Sequence, residues 1–346
     1  MTTAVEQLDA LGRFQAGHGL AYGRLGATDP ASGGREAAGV SDRDEHAQLI
    51  EGEVSDHDPS SNVMDIIITS SLPQGDCLPY LPWHATDLFI NPGGGPCFFL
   101  EPGPMRSIWR ELEDYLRGFA GALPERPRAI LVISGHWAAA QPTVNIGAAP
   151  PQLYDYGGFP DYTYRLQWPA PGSPRLAAEV RERLAAAGIA SASDDQRGWD
   201  HGVFVPFKVM FPQADIPVVQ LSLQQGLDPA THLAIGRALT SLRRDGALII
   251  GSGQTYHNMC GFGGGQGPDP AAEAFDAWLR ETMVDPSRRD EALFAWEQAP
   301  GARGAQPHED HLLPLMVAAG AASGEPGQVA FYGHVLGKPI SGFRFG

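Results

Sequence analysis

Arg128-Ala129-Ile130-Leu131-Val132-Ile133-Ser134 is an unbroken apolar run between polar ends. A strand wetted on one face alternates apolar and polar residues, whereas a continuous run suits a strand covered on both faces. Three further segments read as strands: Ala247-Leu248-Ile249-Ile250 ending in Gly251-Ser252-Gly253, Ile216 to Leu223, and Asp87-Leu88-Phe89-Ile90 running into Asn91-Pro92-Gly93-Gly94-Gly95-Pro96. Between them lie helical patterns. Ile108, Leu112, Tyr115, Leu116 and Phe119 recur at helical spacing, and a helix over 175–187 has Pro174 near its start and Gly188 as its stop. Further helices are expected over 229–245, 270–298 and Leu312–Ala319. Alternating strands and helices predict an α/β fold, a mixed, largely parallel central sheet flanked by helices. Val144-Asn145-Ile146 reads as an edge strand, and Val329–Gly333 with Ile340–Phe345 as antiparallel strands near the C-terminus.

The chain has 346 residues, 43% of them hydrophobic, with seven tryptophans, enough for a sizeable core. Its formal net charge is −16. That argues against sequence-independent nucleic-acid binding and against docking on anionic membrane, both of which need a basic face. No apolar run approaches the roughly 18–20 residues of a membrane span. The N-terminal residues show no secretory-signal pattern. Three cysteines, Cys77, Cys97 and Cys260, have no metal-type spacing, which predicts free thiols in a reducing, cytoplasmic setting. Residues 1–62 are expected to be a disordered or loosely packed extension, because Gly23–Asn62 is polar and lacks apolar periodicity. Residues 63–346 are then one α/β domain of catalytic type.

Four histidines stand in settings suited to chemistry. His136 follows the run at 128–134, and His257 follows Gly251-Ser252-Gly253. His311 opens the helix Leu312–Ala319, and His201 sits in Trp199-Asp200-His201-Gly202 ahead of a buried apolar segment. In open α/β sheets ligands bind at the C-terminal ends of the strands, and neutral imidazole is the commonest transition-metal ligand. Taken singly, a histidine beside a strand is more commonly a hydrogen-bonded structural residue than a ligand. His308, three residues before His311, is a rival ligand. The glycine cluster at 93–95 lets backbone approach something closely, but it lacks the lysine of a P-loop and the spacing of a dinucleotide fingerprint. The loop over 154–174, rich in aromatics and proline, is long for a structureless connection and suggests a functional segment.

Several stretches together resemble the class III extradiol ring-cleavage dioxygenases (the LigB-like family), in particular the DOPA 4,5-dioxygenase-like branch. They are Ser134-Gly135-His136-Trp137, Tyr156-Gly157-Gly158-Phe159-Pro160, Tyr164 with Trp168-Pro169-Ala170-Pro171, and Trp199-Asp200-His201-Gly202. Gly251-Ser252-Gly253 with His257-Asn258, His311-Leu312-Leu313-Pro314-Leu315, and Phe343-Arg344-Phe345-Gly346 complete the set. The resemblance covers about residue 86 to the end. It implies metal-site residues His136, His257 and His311, an acid–base role for His201, and non-haem Fe(II) as the working metal, with Zn(II) also assigned to this branch. It further implies a small, catechol-like aromatic substrate and O2. Tyr156, Phe159, Tyr164 and Trp199 are expected to line the substrate pocket.

One position departs from the family pattern. The family ends its first strand in a histidine followed by a glycine-rich loop, and that histidine is a metal ligand. Here Pro92 stands in its place, and proline offers no ligand nitrogen. Eight positions of extended chain, about 26 Å, separate His84 from it, and Asn91 could offer only an amide oxygen. Two other readings therefore share these residues: a non-catalytic homologue that binds an aromatic ligand, and a zinc-only or metal-independent enzyme using the same pocket.

Overall fold

The structure is a computed structural model and describes residues 86–263 and 267–346. The expected extension over 1–62, its boundary with the following domain, and His84 lie outside the described residues. Among the described residues eight strands form one sheet: β1 (Asp87–Ile90), β2 (Ala129–Ala139), β3 (Thr143–Asn145), β4 (Ala192–Asp194), β5 (Val218–Gln224), β6 (Ala247–Ser252), β7 (Gly327–Val335) and β8 (Lys338–Phe345). Their order is β4-β3-β5-β2-β6-β1-β8-β7. The four central strands, β5, β2, β6 and β1, run parallel. β8 pairs antiparallel with β1 and β7 with β8, as the C-terminal pattern predicts. The apolar run is fully buried from Ala129 to Ile133, so both faces of β2 are covered.

Some boundaries differ from the sequence reading. β2 continues past His136 to Ala139. Its pairing with β5 passes from Ile133↔Leu221 to Ala138↔Leu223, so residues 134–137 bulge out of register. Such a bulge bends a strand and re-aims its side chains; here it carries His136. β3 lies inside the sheet, and the edge strand on that side is β4, three residues with no apolar pattern to announce them.

The helices used below are α1 (Arg110–Ala122), α2 (Pro174–Ala186), α3 (His201–Met210), α4 (Pro229–Leu239), α5 (Pro270–Val284), α6 (Pro286–Phe294) and α7 (Leu313–Ala321). The expected helix over 270–298 is broken at Asp285, which caps α6 through its side chain to the Ser287 N–H, with Pro286 as the first helical residue. Among the described residues no helix is long and apolar enough to cross a membrane.

Helix α7 is buried along its whole length. It packs on β6, β1 and β2 and against α4. Burying a Leu or Val side chain contributes about 1.5–3 kcal/mol, so the helix is firmly held. His311 stands two residues before its first turn and inherits that rigidity. α3 packs on β2 and α1 and starts at His201. The sheet thus delivers β1, β2 and β6 to one edge, and two packed helices begin there.

Candidate active site

The bulge in β2 presents His136, the segment after β6 presents His257, and the approach to α7 presents His311. The Nε2 atoms of His136 and His311 are 3.3 Å apart. The rings of His257 and His311 stack, with centroids 3.4 Å apart and planes 20° from parallel. The His201 ring lies 3.9 Å from that of His136, centroid to centroid. Four histidines distant in sequence therefore meet at the C-terminal edge of the parallel strands.

Close backbone approach makes this meeting possible. A Cβ on Gly253 would lie 2.1 Å from the carbonyl oxygen of His311, so only glycine lets the His311 segment settle against the end of β6. Gln254 then fixes the contact: its N–H donates to the His311 carbonyl at 2.8 Å, and its side-chain amide donates to the Gly93 carbonyl at 2.8 Å. The loop containing Pro92 is thereby stitched to the same edge. Gly202 has a similar reason, since a Cβ there would sit 2.8 Å from the His136 ring.

Asp155, in the long aromatic loop, holds His201. One carboxylate oxygen accepts the His201 backbone N–H at 2.9 Å and faces ring Nδ1 at 2.8 Å. A carboxylate there requires the proton on Nδ1, which leaves Nε2 as the atom free to exchange a proton. The other Asp155 oxygen is 3.8 Å from His136 Nδ1. Asp310 stands in a similar place behind His311, accepting its backbone N–H at 3.0 Å and lying 3.2 Å from Nδ1 without a hydrogen bond to it.

Asp200 has a different job. It is fully buried and accepts from Ser134 Oγ at 2.8 Å, Gln220 Nε2 at 2.5 Å and Arg197 Nη2 at 3.1 Å. Arg197 also donates to the His136 carbonyl at 3.2 Å. This network ties β2, β5 and the start of α3 together, so the segments bearing His136 and His201 keep their spacing.

Charges follow from burial and neighbours. Burial pushes His136 well below the ordinary imidazole value, and His201, His311 and His257 add to it against the pull of Asp155. His136 is therefore neutral near pH 7, with a lone pair to offer. Burial also works against the charged form of His201, but the charge and hydrogen bond of Asp155, aided by Asp200, outweigh it and raise its value. Burial disfavours the Asp155 carboxylate, yet His201 and then His136 hold it below the usual range. Asp310 is likewise held below that range, where His311, His257 and His136 overcome burial.

The aromatic loop lies against His201. Tyr156 meets the His201 ring edge-on at 5.8 Å, and Phe159 and Tyr164 pack on Tyr156 at 5.6 and 5.2 Å. The Tyr156 hydroxyl donates to the Thr163 carbonyl, and that of Tyr154 to the Leu166 carbonyl, so these phenols are tied down within their own loop. Trp199 is placed elsewhere. It is wholly buried, with its indole N–H donated to the Ala170 carbonyl. The glycines at 93–95 approach the protein's own rings, and a Cβ on Gly95 would lie 2.7 Å from Phe159. His308 is exposed, apart from the cluster. Asp155 and Asp310 were missed from sequence; their signals were a carboxylate inside the aromatic loop and one adjoining His311.

Among the described residues, metal-capable atoms fall in two groups, His136 with Asp155 and His201, and His257 with Asp310 and His311, each with such atoms within 4.8 Å of one another. The 3.3 Å contact between His136 and His311 joins them. Two nitrogens at metal bond lengths of about 2.0–2.1 Å, at angles between 90° and tetrahedral, lie about 2.8–3.4 Å apart. The His136–His311 spacing fits that, and neutral imidazoles are the right donors for a divalent transition metal.

A family model described as the catalytic LigB subunit of aromatic ring-opening dioxygenase matches residues 95–342. The chain belongs to this LigB family. The match begins just beyond Pro92. Among LigB-like relatives, a protein named 4,5-DOPA dioxygenase extradiol from Beta vulgaris is 43% identical over 57% of this chain and 74% of its own length. One named dioxygenase tasH, from Hapsidospora irregularis, is 36% identical over 74% of this chain and 84% of its own. The crystal structure of an uncharacterised Escherichia coli K12 protein covers 76% of this chain and 100% of that one, with a TM-score of 0.61 and 29% identity.

Proposed function

We propose that this LigB-family protein is an extradiol-type ring-cleavage dioxygenase. It acts on a catechol-like aromatic with O2 in a reducing, cytoplasmic setting. His136, His257 and His311 hold a non-haem Fe(II). The observation that carries the reading is the convergence of His136 Nε2 and His311 Nε2, with His257 stacked on His311 and a carboxylate-held His201 beside them. The chemistry Fe(II) supplies there is Lewis acidity toward the catechol oxygens and a redox route to dioxygen.

The residues do the rest. His201 Nε2 takes the second phenolic proton as the catechol binds, and Asp155 on Nδ1 stabilises the imidazolium that results. The same proton is returned to the substrate as the ring opens. Tyr156, with Phe159 and Tyr164 behind it, offers an apolar wall for a planar ring and keeps water from it. Trp199 supports the segment that delivers His201 from the core side.

Pro92 favours a second reading, in which the pocket binds an aromatic ligand or uses Zn(II), which cannot change oxidation state. The test is anaerobic loading with Fe(II) or Zn(II), then measurement of bound metal and of oxygen uptake with simple catechols. Stoichiometric Fe(II) with catechol-dependent oxygen uptake is expected. No retained metal and no uptake would sink the dioxygenase reading. Uptake appearing only in Pro92→His would establish that this site is degenerate.

A further inference from the structure

His311 is held from two sides. Its Nε2 faces His136 Nε2 at 3.3 Å, and its Nδ1 faces an Asp310 carboxylate oxygen at 3.2 Å. That oxygen also accepts the backbone N–H of His311 at 3.0 Å. Nδ1 is buried with no hydrogen-bond partner among the described residues, because Asp310 lies off the line of a hydrogen bond, and Asp310 is the carboxylate within reach. Asp155 holds His201 at the same two points, there with a hydrogen bond to Nδ1 at 2.8 Å, so a carboxylate stands behind an imidazole twice in the site. A carboxylate behind an imidazole fixes the tautomer and ring plane and makes the opposite nitrogen a stronger donor.

We infer that Asp310 is a positioning residue for the metal: it keeps the Nδ1 proton on His311 and directs Nε2 to the point shared with His136. This rests on the metal-site reading above and adds a residue to it. Asp310 matters more here than in a site with a full set of histidines. With proline at 92, fewer imidazoles bind the ion, and each must be well oriented. Asp310 also brings negative charge close to a divalent cation that neutral imidazoles cannot offset. Its reach includes His257, whose metal-capable atoms lie within 4.8 Å of its own.

The experiment is a titration of the full chain with Co(II), then Zn(II) in competition, for wild type, Asp310→Ala, Asp310→Asn and the control Glu309→Ala. Glu309 pairs with Arg303 at 2.7 Å. The Asp310 variants should bind roughly 10–100-fold more weakly, Asn less affected than Ala. The Co(II) visible bands should keep their positions, and metal-free melting temperatures and the affinity of Glu309→Ala should not change. Affinity within twofold of wild type in both Asp310 variants would overturn the inference. So would a shift of the Co(II) bands to a lower coordination number, which would make Asp310 a direct ligand. A wild-type chain that binds neither ion would overturn the metal-site reading itself, a distinct result.

Discussion

The two ends of strand β1 carry buried polar groups of opposite character. At its start, Asp87 is fully buried and lies 3.1 Å from Arg243 Nε, and Arg243 also meets Glu325 at 2.6 Å and the Phe345 carbonyl at 3.3 Å. Burial pushes the Asp87 carboxyl up and Arg243 pulls it back. At its end, Asn91 folds its side-chain oxygen onto the Gly93 N–H, Pro92 follows, and the four histidines gather nearby around a common point. The first cluster sets the Arg243 guanidinium against the side chains of Asp87 and Glu325 and pins the C-terminal strand. The second brings His136 Nε2 and His311 Nε2 to 3.3 Å, with the rings of His201 and His257 packed beside them. Buried polarity by itself does not mark a site; titratable donors aimed at one another do.

Substitutions at the two ends should separate stability from chemistry. The largest effect is expected from His201→Ala, which should lower turnover about 10²–10⁴-fold while metal content stays at the wild-type level; loss of metal would make His201 a ligand. Next, Arg243→Met leaves Asp87 buried and unpaired and should cost about 3–5 kcal/mol in denaturant unfolding. His257→Ala, at the other end, should cost no more than about 1 kcal/mol yet release the metal. Equal stability losses in the two variants would erase the distinction. A smaller effect is expected from Gly253→Ala, about 1–3 kcal/mol, since the new Cβ meets the His311 carbonyl; metal affinity should fall with it.

The smallest effect is a pH dependence of the metal-free protein. Burial lowers His136 in the folded state, so below about pH 6.5 the unfolded chain takes up a proton that the folded one refuses, and stability falls with pH. His201 has a raised value and acts oppositely, adding stability below that pH. Asp155 and Asp310, held low, lose their contribution only below about pH 4. The drop in melting temperature from pH 7.5 to 5.5 should therefore be smaller in His136→Gln than in wild type. An equal or larger drop would count against a neutral His136.

Much of this was legible in the sequence. Continuous apolar runs marked β2 and β6 because strands covered on both faces need them. The four histidines were legible because each stands where a strand or helix meets the C-terminal edge of the parallel strands. Other features could not be read. The bulge in β2 is set by pairing with β5, which no local pattern encodes. Asp155 acts on a residue 46 positions away, and carboxylates in loops are common. Trp199 looked like pocket wall from its motif, but its indole N–H had to find a partner and found Ala170 in the core. The glycines at 93–95 signalled close approach correctly while leaving its object, the protein's own rings, undetermined.

The most direct test of the central claim is metal stoichiometry after anaerobic Fe(II) loading and desalting, for wild type, His136→Ala, His257→Ala, His311→Ala and His201→Ala. One metal per chain is predicted for wild type and His201→Ala, and loss of metal for the other three. Full metal content in any of those three, or no metal in the wild type, would contradict the account.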